Sequence, residues 1–318
     1  MPPVGSRRIL FSAQRNEGPF LLEWIAYHRV IGFTDIILYS NDCTDGSDHL
    51  LDRLAEAGVL EHHRHAPDPD RSAQRQAAEA AAKAGLFHDG DWVMWLDSDE
   101  FLYVQPGAHD LDSLFAALPS FDVLAVAWRF FGDSGHATWP GRHIDPAFSR
   151  AEKRNRTKRA QIKSLFRWTD RVETPDIHRP IYRRGTGPED IRAFHSGGHP
   201  MPDAFFDRDR TNPWSRITDG SRYYRFAMVA HFSVRTPDMY AAKATRGDGV
   251  YPGAAAPVVR DDRFYRRKNF NDVEEKALHS LAPATTSEIG RLMQLPGVKN
   301  AAKAIAGFRP ESQLSTRA

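Results

Sequence analysis

The chain has 318 residues, with 43 lysines and arginines against 41 aspartates and glutamates. This nearly neutral balance excludes a general role in binding nucleic acid, which would require a large positive excess. The single cysteine, Cys43, excludes an intrachain disulfide and a cysteine-based zinc site, and it is typical of a reducing compartment. No stretch has the apolar length of a signal peptide or of a membrane span, so we expect a cytoplasmic location.

Strands and helices are predicted to alternate through the first hundred residues. Short apolar runs predict strands, and apolar residues at helical spacing between them predict helices that end near glycines. Such alternation is typical of βαβ units with helices on both faces of a sheet. We therefore expect an α/β fold with a Rossmann-type, mainly parallel sheet in a single domain. The predicted strands are 9–13, 36–39, 59–62, 92–96, 123–127 and 226–234.

A polar cluster follows three of these strands. The clusters are Arg15 to Glu17, Asn41 to Asp45, and Asp97 to Glu100. In open sheets of this kind, ligands bind beyond the carboxyl ends of the strands. We therefore expect the three clusters to converge on one ligand site.

The last of these clusters contains two carboxylates, two residues apart. If strand geometry persists through Asp97, Ser98 and Asp99, both carboxylates point to the same side of the sheet. Their repulsion is usually relieved by a hard divalent cation that keeps positions open for water and phosphate oxygens. A polar strand end that merely turns into solvent is the alternative. The sequence has no glycine-rich dinucleotide motif after the first strand and no P-loop, so phosphate binding must rely on metal and basic side chains.

With these clusters in this order, the chain resembles a glycosyltransferase of the GT-A fold, close to the family 2 type that bacteria use in surface polysaccharide assembly. The resemblance covers residues 9–275, and the chain departs from the family pattern at Arg235-Thr236, where relatives often carry Lys-Ser. The motifs that carry it are Arg15-Asn16-Glu17, Leu22 to His28, Ser40 to Ser47, Trp95 to Leu102, Trp128 to Gly135, Lys163 with His178, and His231 to Thr236 followed by Tyr240, Lys243, Arg246 and Gly247.

The resemblance implies metal-dependent transfer of a sugar from a nucleotide-sugar donor, with a UDP-sugar favoured, to a glycan or other hydroxyl acceptor, with inversion expected. A bound Mn²⁺ or Mg²⁺ would offset the charge that grows on the departing diphosphate. The resemblance also implies a transferase domain at 1–284, with a nucleotide-sugar-binding half at 1–130 and an acceptor half at 131–284. A helical or partly disordered tail is expected at 285–318.

The resemblance also indicates the metal ligands. Asp99 is the first candidate, because it lies at the end of the Asp-Ser-Asp motif. Asp97 would either bind the metal as well or contact the ribose. His231 would be a third ligand by analogy with GT-A enzymes. The alternative for His231 is a core histidine whose hydrogen bonds are satisfied inside an apolar strand.

Further residues are candidates for holding the nucleotide sugar. Asp42 matches the family position that hydrogen-bonds a nucleobase, which favours uracil or thymine. Asp45 is either a similar contact or a helix-capping residue, and Arg15 with Glu17 is either a pair beside the nucleotide or a structural loop pair. Arg75 either reaches the base or phosphates or lies on a solvated helix face. The full candidate set is Arg15, Asn16, Glu17, Asp42, Asp45, Arg75, Asp97, Ser98, Lys163, Arg235, Lys243 and Arg246, of which Lys163, Arg235, Lys243 and Arg246 are expected at the diphosphate.

An inverting transfer needs a general base that takes the proton of the acceptor hydroxyl. Asp133, Glu173 and Asp176 are the candidates, and a simple turn role is the alternative for Asp133. His136 and His178 are expected on the acceptor side. The segment 150–171 carries nine lysines or arginines against two acids. It either engages an anionic or lipid-linked acceptor, with peripheral membrane contact, or forms a loop over the site.

Two other functions stay open from the sequence. An Asp-x-Asp pair at a strand end also serves metal-dependent phosphohydrolases, although those usually carry it after the first strand. A catalytically silent nucleotide-binding or carbohydrate-binding module would keep the donor cluster but lack a working base.

Overall fold

The computed structural model describes residues 6–144, 148–154, 160–208, 216–217, 223–245 and 261–305. Within these ranges a ten-stranded mixed sheet with helices packed against it forms the centre, and two pairs of short strands lie outside it. One continuous cluster of buried apolar side chains runs from the first strand to the last helix. In these ranges, every helix is too short or too polar to cross a bilayer.

The strands are β1 (Arg8–Gln14), β2 (Asp35–Ser40), β3 (Glu61–Arg64), β4 (Trp92–Trp95), β5 (Glu100–Val104), β6 (Val123–Phe130), β7 (Arg150–Ala151), β8 (Ala160–Arg167), β9 (Val172–Thr174), β10 (Ile181–Tyr182), β11 (Ala193–His195), β12 (Arg216–Ile217), β13 (Ala227–His231) and β14 (Val273–Glu274). The α-helices are α1 (Gly18–Val30), α2 (Ser47–Glu56), α3 (Ala73–Lys83), α4 (Leu111–Ala117), α5 (Pro237–Thr245), α6 (Asp262–Lys268), α7 (Ala282–Met293) and α8 (Val298–Ala304). Short 3-10 helices lie at Asp203–Phe206 and Ala277–Leu281.

The first hundred residues fold as their pattern predicts. Strands β3, β2, β1 and β4 lie side by side in that order, and every neighbouring pair is parallel. Ile9, Leu10 and Phe11 of β1 are all fully buried, as expected for a strand covered on both faces. The polar ends of β1, β2 and β4 therefore lie at one edge of the sheet.

The predicted α/β fold is confirmed, and beyond β4 the sheet contains antiparallel as well as parallel neighbours. Strand β8 lies between β4 and β6 and is antiparallel to both. Strand β13 is parallel to β6 and antiparallel to β5. Parallel neighbours need a long crossover, usually a helix, and the described residues between β6 and β8 contain none.

Asp97–Glu100, which we call the acidic turn, joins β4 to β5. The backbone N–H of Glu100 donates to the carbonyl of Asp97 at 3.0 Å and closes the turn. Strand geometry thus does not persist through Asp97 and Asp99, and the alternation of strand faces cannot fix the direction of their side chains. Trp92 to Trp95 form the strand as predicted.

The last two helices pack on the first two. α7 lies against α1 and α8 against α2, with Ile289 and Leu292 of α7 fully buried. Arg29 of α1 and Glu288 of α7 form an ion pair at 2.8 Å. The boundary expected between 284 and 285 falls inside α7, so residues 285–305 belong to the packed body, while 306–318 lie outside the described residues.

Candidate functional site

The loops after β1 and β2 are joined to each other. Asn16 accepts a hydrogen bond from the backbone N–H of Thr44 at 2.8 Å and donates to its hydroxyl at 3.1 Å. The carboxylate of Asp45 accepts from the backbone N–H of Gly18 at 2.9 Å. Asn16 and Asp42 adopt φ values of 53° and 47°, in the left-handed region that short polar side chains tolerate best. The structure therefore brings the first two polar clusters together.

Asp45 and Asp42 have different surroundings in these loops. The second oxygen of Asp45 accepts from the backbone N–H of Ser47 at 2.9 Å, so both its oxygens hold backbone groups. These contacts agree with the alternative interpretation of Asp45, a structural residue near the start of α2 that resembles a helix cap. Asp42 and Arg15, in contrast, are exposed on the surface of these loops.

A buried lysine lies beneath the acidic turn. The ammonium of Lys163 is 3.1 Å from Asp97 Oδ2 and 3.1 Å from Glu100 Oε2, and its side chain has no exposed surface. Burial alone would lower the pKa of Lys163, but Asp97 and Glu100 raise it, so the lysine is charged. Gln74 donates to the other oxygen of Asp97 at 3.3 Å. Lys163 was expected at the diphosphate, but its positive charge instead offsets the carboxylates of the acidic turn from the buried side.

Asp99 meets a separate set of partners. Lys243 donates to Asp99 Oδ2, and His231 Nε2 lies 3.7 Å from Oδ1. Burial raises the pKa of Asp99, but Lys243 and His231 hold it well below its usual range. Burial lowers the pKa of His231 more than Asp99 raises it, which leaves a neutral imidazole at neutral pH. Lys243 therefore contacts Asp99, whereas Lys163 contacts Asp97 and Glu100, and the expected role of Lys243 at the diphosphate stays a prediction.

The predicted metal ligands fit a divalent cation in part. Groups of three or more His, Cys, Asp or Glu side chains that could hold a metal ion are absent from the described residues. Asp99 Oδ1 and His231 Nε2 are close enough to share one ion, since each would lie about 2.1 Å from it. Asp97 is held by Lys163 instead. Any cation here would take its other ligands from water and phosphate oxygens, as Mg²⁺ commonly does.

Arg235 lies beneath the site rather than at the diphosphate. Its guanidinium donates to Glu17 at 2.8 Å and to the hydroxyl of Ser98 at 3.3 Å, and it lies 3.5 Å above the ring of Phe20. The residue is 2% exposed, so a ligand cannot reach it from solvent. Glu17 is therefore a partner of Arg235. The pair ties the acidic turn to the loop after β1.

A fully buried carboxylate that the sequence did not assign supports this arrangement. Glu23 of α1 accepts hydrogen bonds from the backbone N–H groups of His143 at 2.7 Å and Ile144 at 2.9 Å. Burial raises the pKa of Glu23, but the contacts with His143 lower it below the usual value. His143 in turn lies 3.2 Å from Arg235. A glutamate inside an apolar helical segment was the signal available in the sequence.

Asp133, a candidate base, has both oxygens occupied. Its carboxylate accepts four hydrogen bonds of 2.6 to 2.9 Å, which hold its pKa below the usual value against burial. A carboxylate so well satisfied is a weak proton acceptor. These hydrogen bonds therefore fit the alternative role of Asp133, that of a turn residue. The four donors are Gly135 N, Tyr265 Oη, Asn269 Nδ2 and Asn271 Nδ2.

The other two base candidates are paired with arginines. Glu173 is exposed and lies 2.6 Å from Arg208. Asp176 is buried and lies 2.8 Å from Arg75, which links the second half of the chain to α3. Arg75 is therefore ion-paired rather than free on a solvated helix face, and this partner lies outside the loops after β1 and β2. The geometry selects neither carboxylate as the base.

The two histidines expected on the acceptor side lie in different places. His136 stacks on Phe148 with ring centroids 5.8 Å apart. His178 lies 5.4 Å from the ring of Trp128, and burial lowers its pKa to about 4. Arg246 and residues 155–159 of the basic segment lie outside the described residues.

Comparison with known proteins identifies the family. A family model described as Glycosyltransferase family 92 matches residues 13–193, more than half of the chain. Glycosyltransferase family 92 proteins of Oryza sativa subsp. japonica and Ricinus communis are 28% and 29% identical over 138 and 139 residues. Each match covers 42% of this chain but only 23% or 24% of the relative, so the chain spans about a quarter of their length.

Solved structures are more distant. The structure of S. aureus TarS residues 1–349 has a TM-score of 0.34 and 12% identity, with 94% of this chain and 87% of that chain covered. The resemblance to glycosyltransferases is thus confirmed by the family match, whereas the likeness to family 2 and its bacterial enzymes stays a prediction. By the extent of that match, the chain belongs to glycosyltransferase family 92.

Proposed function

We propose that this chain transfers a sugar from a nucleotide-sugar donor to a hydroxyl group of a glycan acceptor, in a GT-A-like arrangement and with inversion at the anomeric carbon. Membership of glycosyltransferase family 92 supports the reaction class. The observation that carries the proposal is the meeting of Asp99, Lys243 and His231 at the carboxyl-end rim of the sheet. Through Ser98, Arg235 and Glu17 this corner is tied to the loop after β1.

Positive charge beside the leaving diphosphate is the physical basis of the proposed chemistry. Negative charge grows on the β-phosphate as its bond to the sugar breaks, and fixed cations there stabilise the transition state more than the ground state. Lys243 is the residue we assign to this task, and its contact with Asp99 supports the assignment. A divalent cation at Asp99 and His231 would supply further positive charge to the same oxygens when bound.

Asp42 supports uridine as the donor's nucleoside. Its exposed carboxylate lies in a loop that Asn16 and Thr44 fix against the end of β1. One carboxylate can accept a hydrogen bond from the imide N–H of uracil, whereas cytosine carries no N–H at that ring position. Thymine carries the same imide, so dTDP-sugars are the competing donors.

Nucleotide binding is tested by thermal unfolding with UDP, GDP and dTDP, each with and without Mn²⁺. We expect the largest rise in Tm with UDP and Mn²⁺ together, since a ligand at a hundred times its Kd stabilises the folded state by about 2.7 kcal/mol. A larger rise with GDP would contradict uridine as the donor's nucleoside. The absence of any rise with all three nucleotides would contradict the donor proposal.

Sugar transfer is tested with a panel of UDP-sugars and glycan acceptors, with products followed by mass spectrometry. We expect Asp99→Asn to abolish transfer, whereas Asp70→Asn, the same change at an exposed surface position, leaves it intact. Phosphate release from simple phosphoesters would instead indicate a phosphohydrolase. Nucleotide binding without transfer would indicate a silent module.

A further inference from the structure

His178 is anchored on β8, next to the lysine that contacts the acidic turn. Its imidazole Nδ1 donates to the carbonyl of Ile162 at 2.9 Å, and its backbone carbonyl accepts from the hydroxyl of Ser164 at 2.9 Å. Lys163 lies between these two residues of β8, and its ammonium is 3.1 Å from Asp97 of the turn. His178 therefore lies close to the acidic turn.

Strand β8 loses its neighbour β4 where the acidic turn begins. The pairing of the two antiparallel strands ends at Met94 and Leu165, so the part of β8 that lies towards the turn no longer has β4 beside it. His178 is hydrogen-bonded to β8 in this stretch, and part of its surface is exposed. A ligand bound at the acidic turn can therefore approach the imidazole.

The hydrogen bond to Ile162 determines which ring nitrogen of His178 carries the proton. A carbonyl oxygen only accepts, so Nδ1 is the protonated nitrogen, and in the neutral ring Nε2 keeps its lone pair. Among the described residues no group hydrogen-bonds to Nε2, and Nε2 is not one of the polar atoms that the fold shields completely from solvent. Nε2 is thus an accessible proton acceptor.

The imidazole of His178 is neutral at neutral pH. Burial and, to a smaller extent, Lys163 lower the pKa of His178 to about 4. Asp97 and Asp176 act in the opposite direction, so both carboxylates would stabilise the imidazolium. A base with this pKa is about as strong as an ordinary aspartate side chain, and carboxylates serve as the base in inverting enzymes.

His178 also lies at a suitable distance from the proposed diphosphate corner. The ring centroid of Trp128 is 4.3 Å from that of His231 and 5.4 Å from that of His178. The two imidazoles are therefore no farther apart than these two distances together. In inverting hydrolysis the two catalytic groups are about 6.5 to 9.5 Å apart, because the attacking water must fit between them. A sugar whose phosphate lies at Asp99 is thus within reach of a hydroxyl held by His178.

We propose that His178 is the general base of the reaction, an assignment that rests on the proposed glycosyl transfer. Nε2 takes the proton of the acceptor hydroxyl while the hydroxyl oxygen forms its bond to the anomeric carbon. The bond from that carbon to the β-phosphate oxygen breaks, and its electron pair leaves with UDP. The imidazolium then releases the proton to solvent. The carboxylates of Asp133, Glu173 and Asp176, in contrast, are held by hydrogen bonds or arginines.

The variant His178→Asn separates proton transfer from structure, because asparagine keeps an N–H near the carbonyl of Ile162 but has no acceptor at the position of Nε2. Release of UDP from UDP-glucose, UDP-galactose and UDP-N-acetylglucosamine is measured with Mn²⁺ and with water as the acceptor. We expect kcat to fall about 100-fold or more, while the donor KM and the Tm rise with UDP stay at their wild-type values. His88→Gln, at an exposed histidine before the amino end of β4, is the control and should keep the wild-type rate.

A second pair of variants tests basicity directly. The side chains in His178→Glu and His178→Gln have nearly the same shape, but only the glutamate can take up a proton. We expect His178→Glu to release UDP about tenfold faster than His178→Gln, or more. Equal rates in this pair would overturn the assignment, as would a wild-type rate in His178→Asn or a loss confined to a higher donor KM. If wild type releases no UDP from any donor, the proposed function itself is contradicted, and this assignment with it.

Discussion

The charged groups below the acidic turn differ from those above it. The group below, which we call the floor, is buried and paired within the chain: Glu17, Glu23, Glu100, Lys163 and Arg235. The group above, which we call the rim, is the set proposed to meet the ligand: the exposed Asp42, and Asp99, His231 and Lys243, which contact one another. In sequence the two groups are interleaved, and Glu100 directly follows Asp99. The comparison teaches that a charged motif residue can serve to position its neighbours rather than to touch a ligand.

The largest expected effect is on stability, at the floor. Lys163→Met removes the cation between Asp97 and Glu100, and the fully buried Glu100 then keeps the hydrogen bond from the backbone N–H of Asp97 but loses its ion pair. Breaking a buried ion pair by removing one member typically costs about 3 to 5 kcal/mol. Denaturant unfolding measures the loss, with the exposed Lys303→Met as the control.

The double variant Lys163→Met with Glu100→Gln sharpens the test. Burial raises the pKa of Glu100 well above its usual range, even though Lys163 opposes the shift. Removing both members of the pair should therefore restore part of the stability, since the buried carboxyl group is gone. Should Lys163→Met unfold like the Lys303→Met control, the lysine is not a structural member of the floor, and the comparison fails there.

The next effect is on turnover, at the rim. Asp99→Asn should reduce sugar transfer about 100-fold or more while the protein stays folded, because Asp99 holds Lys243 and the proposed cation site. Asp97→Asn should have a clearly smaller effect, because Lys163 and Gln74 hold that carboxylate away from the corner. Steady-state kinetics compare the two variants. Equal losses would mean that both carboxylates meet the ligand.

A smaller effect concerns the pH dependence of stability, at a buried histidine outside both groups. Burial lowers the pKa of His28, below β5, to about 3. As pH falls below 6.5, the unfolded chain binds a proton that the folded chain refuses, so stability decreases on acidification. This group alone should cost about 2 kcal/mol between pH 7.5 and pH 5.

His28→Asn keeps a donor near the carbonyl of Trp24, which the imidazole meets at 2.8 Å, but removes the titration. Denaturant unfolding at the two pH values should therefore show a shallower pH dependence for the variant than for wild type. An unchanged dependence would show that His28 takes up its proton in the folded protein.

The smallest expected effect concerns Asp133. Because its four hydrogen bonds are structural, Asp133→Asn should lower stability by about 1 kcal/mol and leave transfer within a few-fold of wild type. Unfolding and kinetics are measured on the same preparation. A folded variant without transfer would restore Asp133 as the general base.

Local patterns predicted the first half of the chain well. The alternation of apolar runs and helical patterns predicted strands β1, β2 and β4 and the helices between them. The convergence of loops at the carboxyl ends of parallel strands predicted the contact of Asn16 with the loop that carries Asp45. The strand 123–127 was also predicted, within β6. These features depend on contacts between segments that lie close in sequence.

The floor could not be predicted in the same way. Arg235 meets Glu17 across more than two hundred residues, and Lys163 reaches the acidic turn only because β8 inserts antiparallel beside β4. No periodicity records such a pairing. Sequence reasoning therefore placed both cations at the diphosphate, since a basic residue near a motif indicates ligand contact unless its burial is known.

The end of the described chain closes over its beginning. A Cβ on Gly18 would lie 2.7 Å from Ile305, which follows α8 and also lies near Gly46. Ile305 therefore rests on the joint that Asp45 makes with Gly18. During synthesis the amino-terminal strands emerge first, yet this joint lacks its cover until residue 305 has left the ribosome. Competence to bind the donor is thus expected to arise late in translation, and a stop codon placed before α8 should yield a chain with its early sheet but a loosened nucleotide loop.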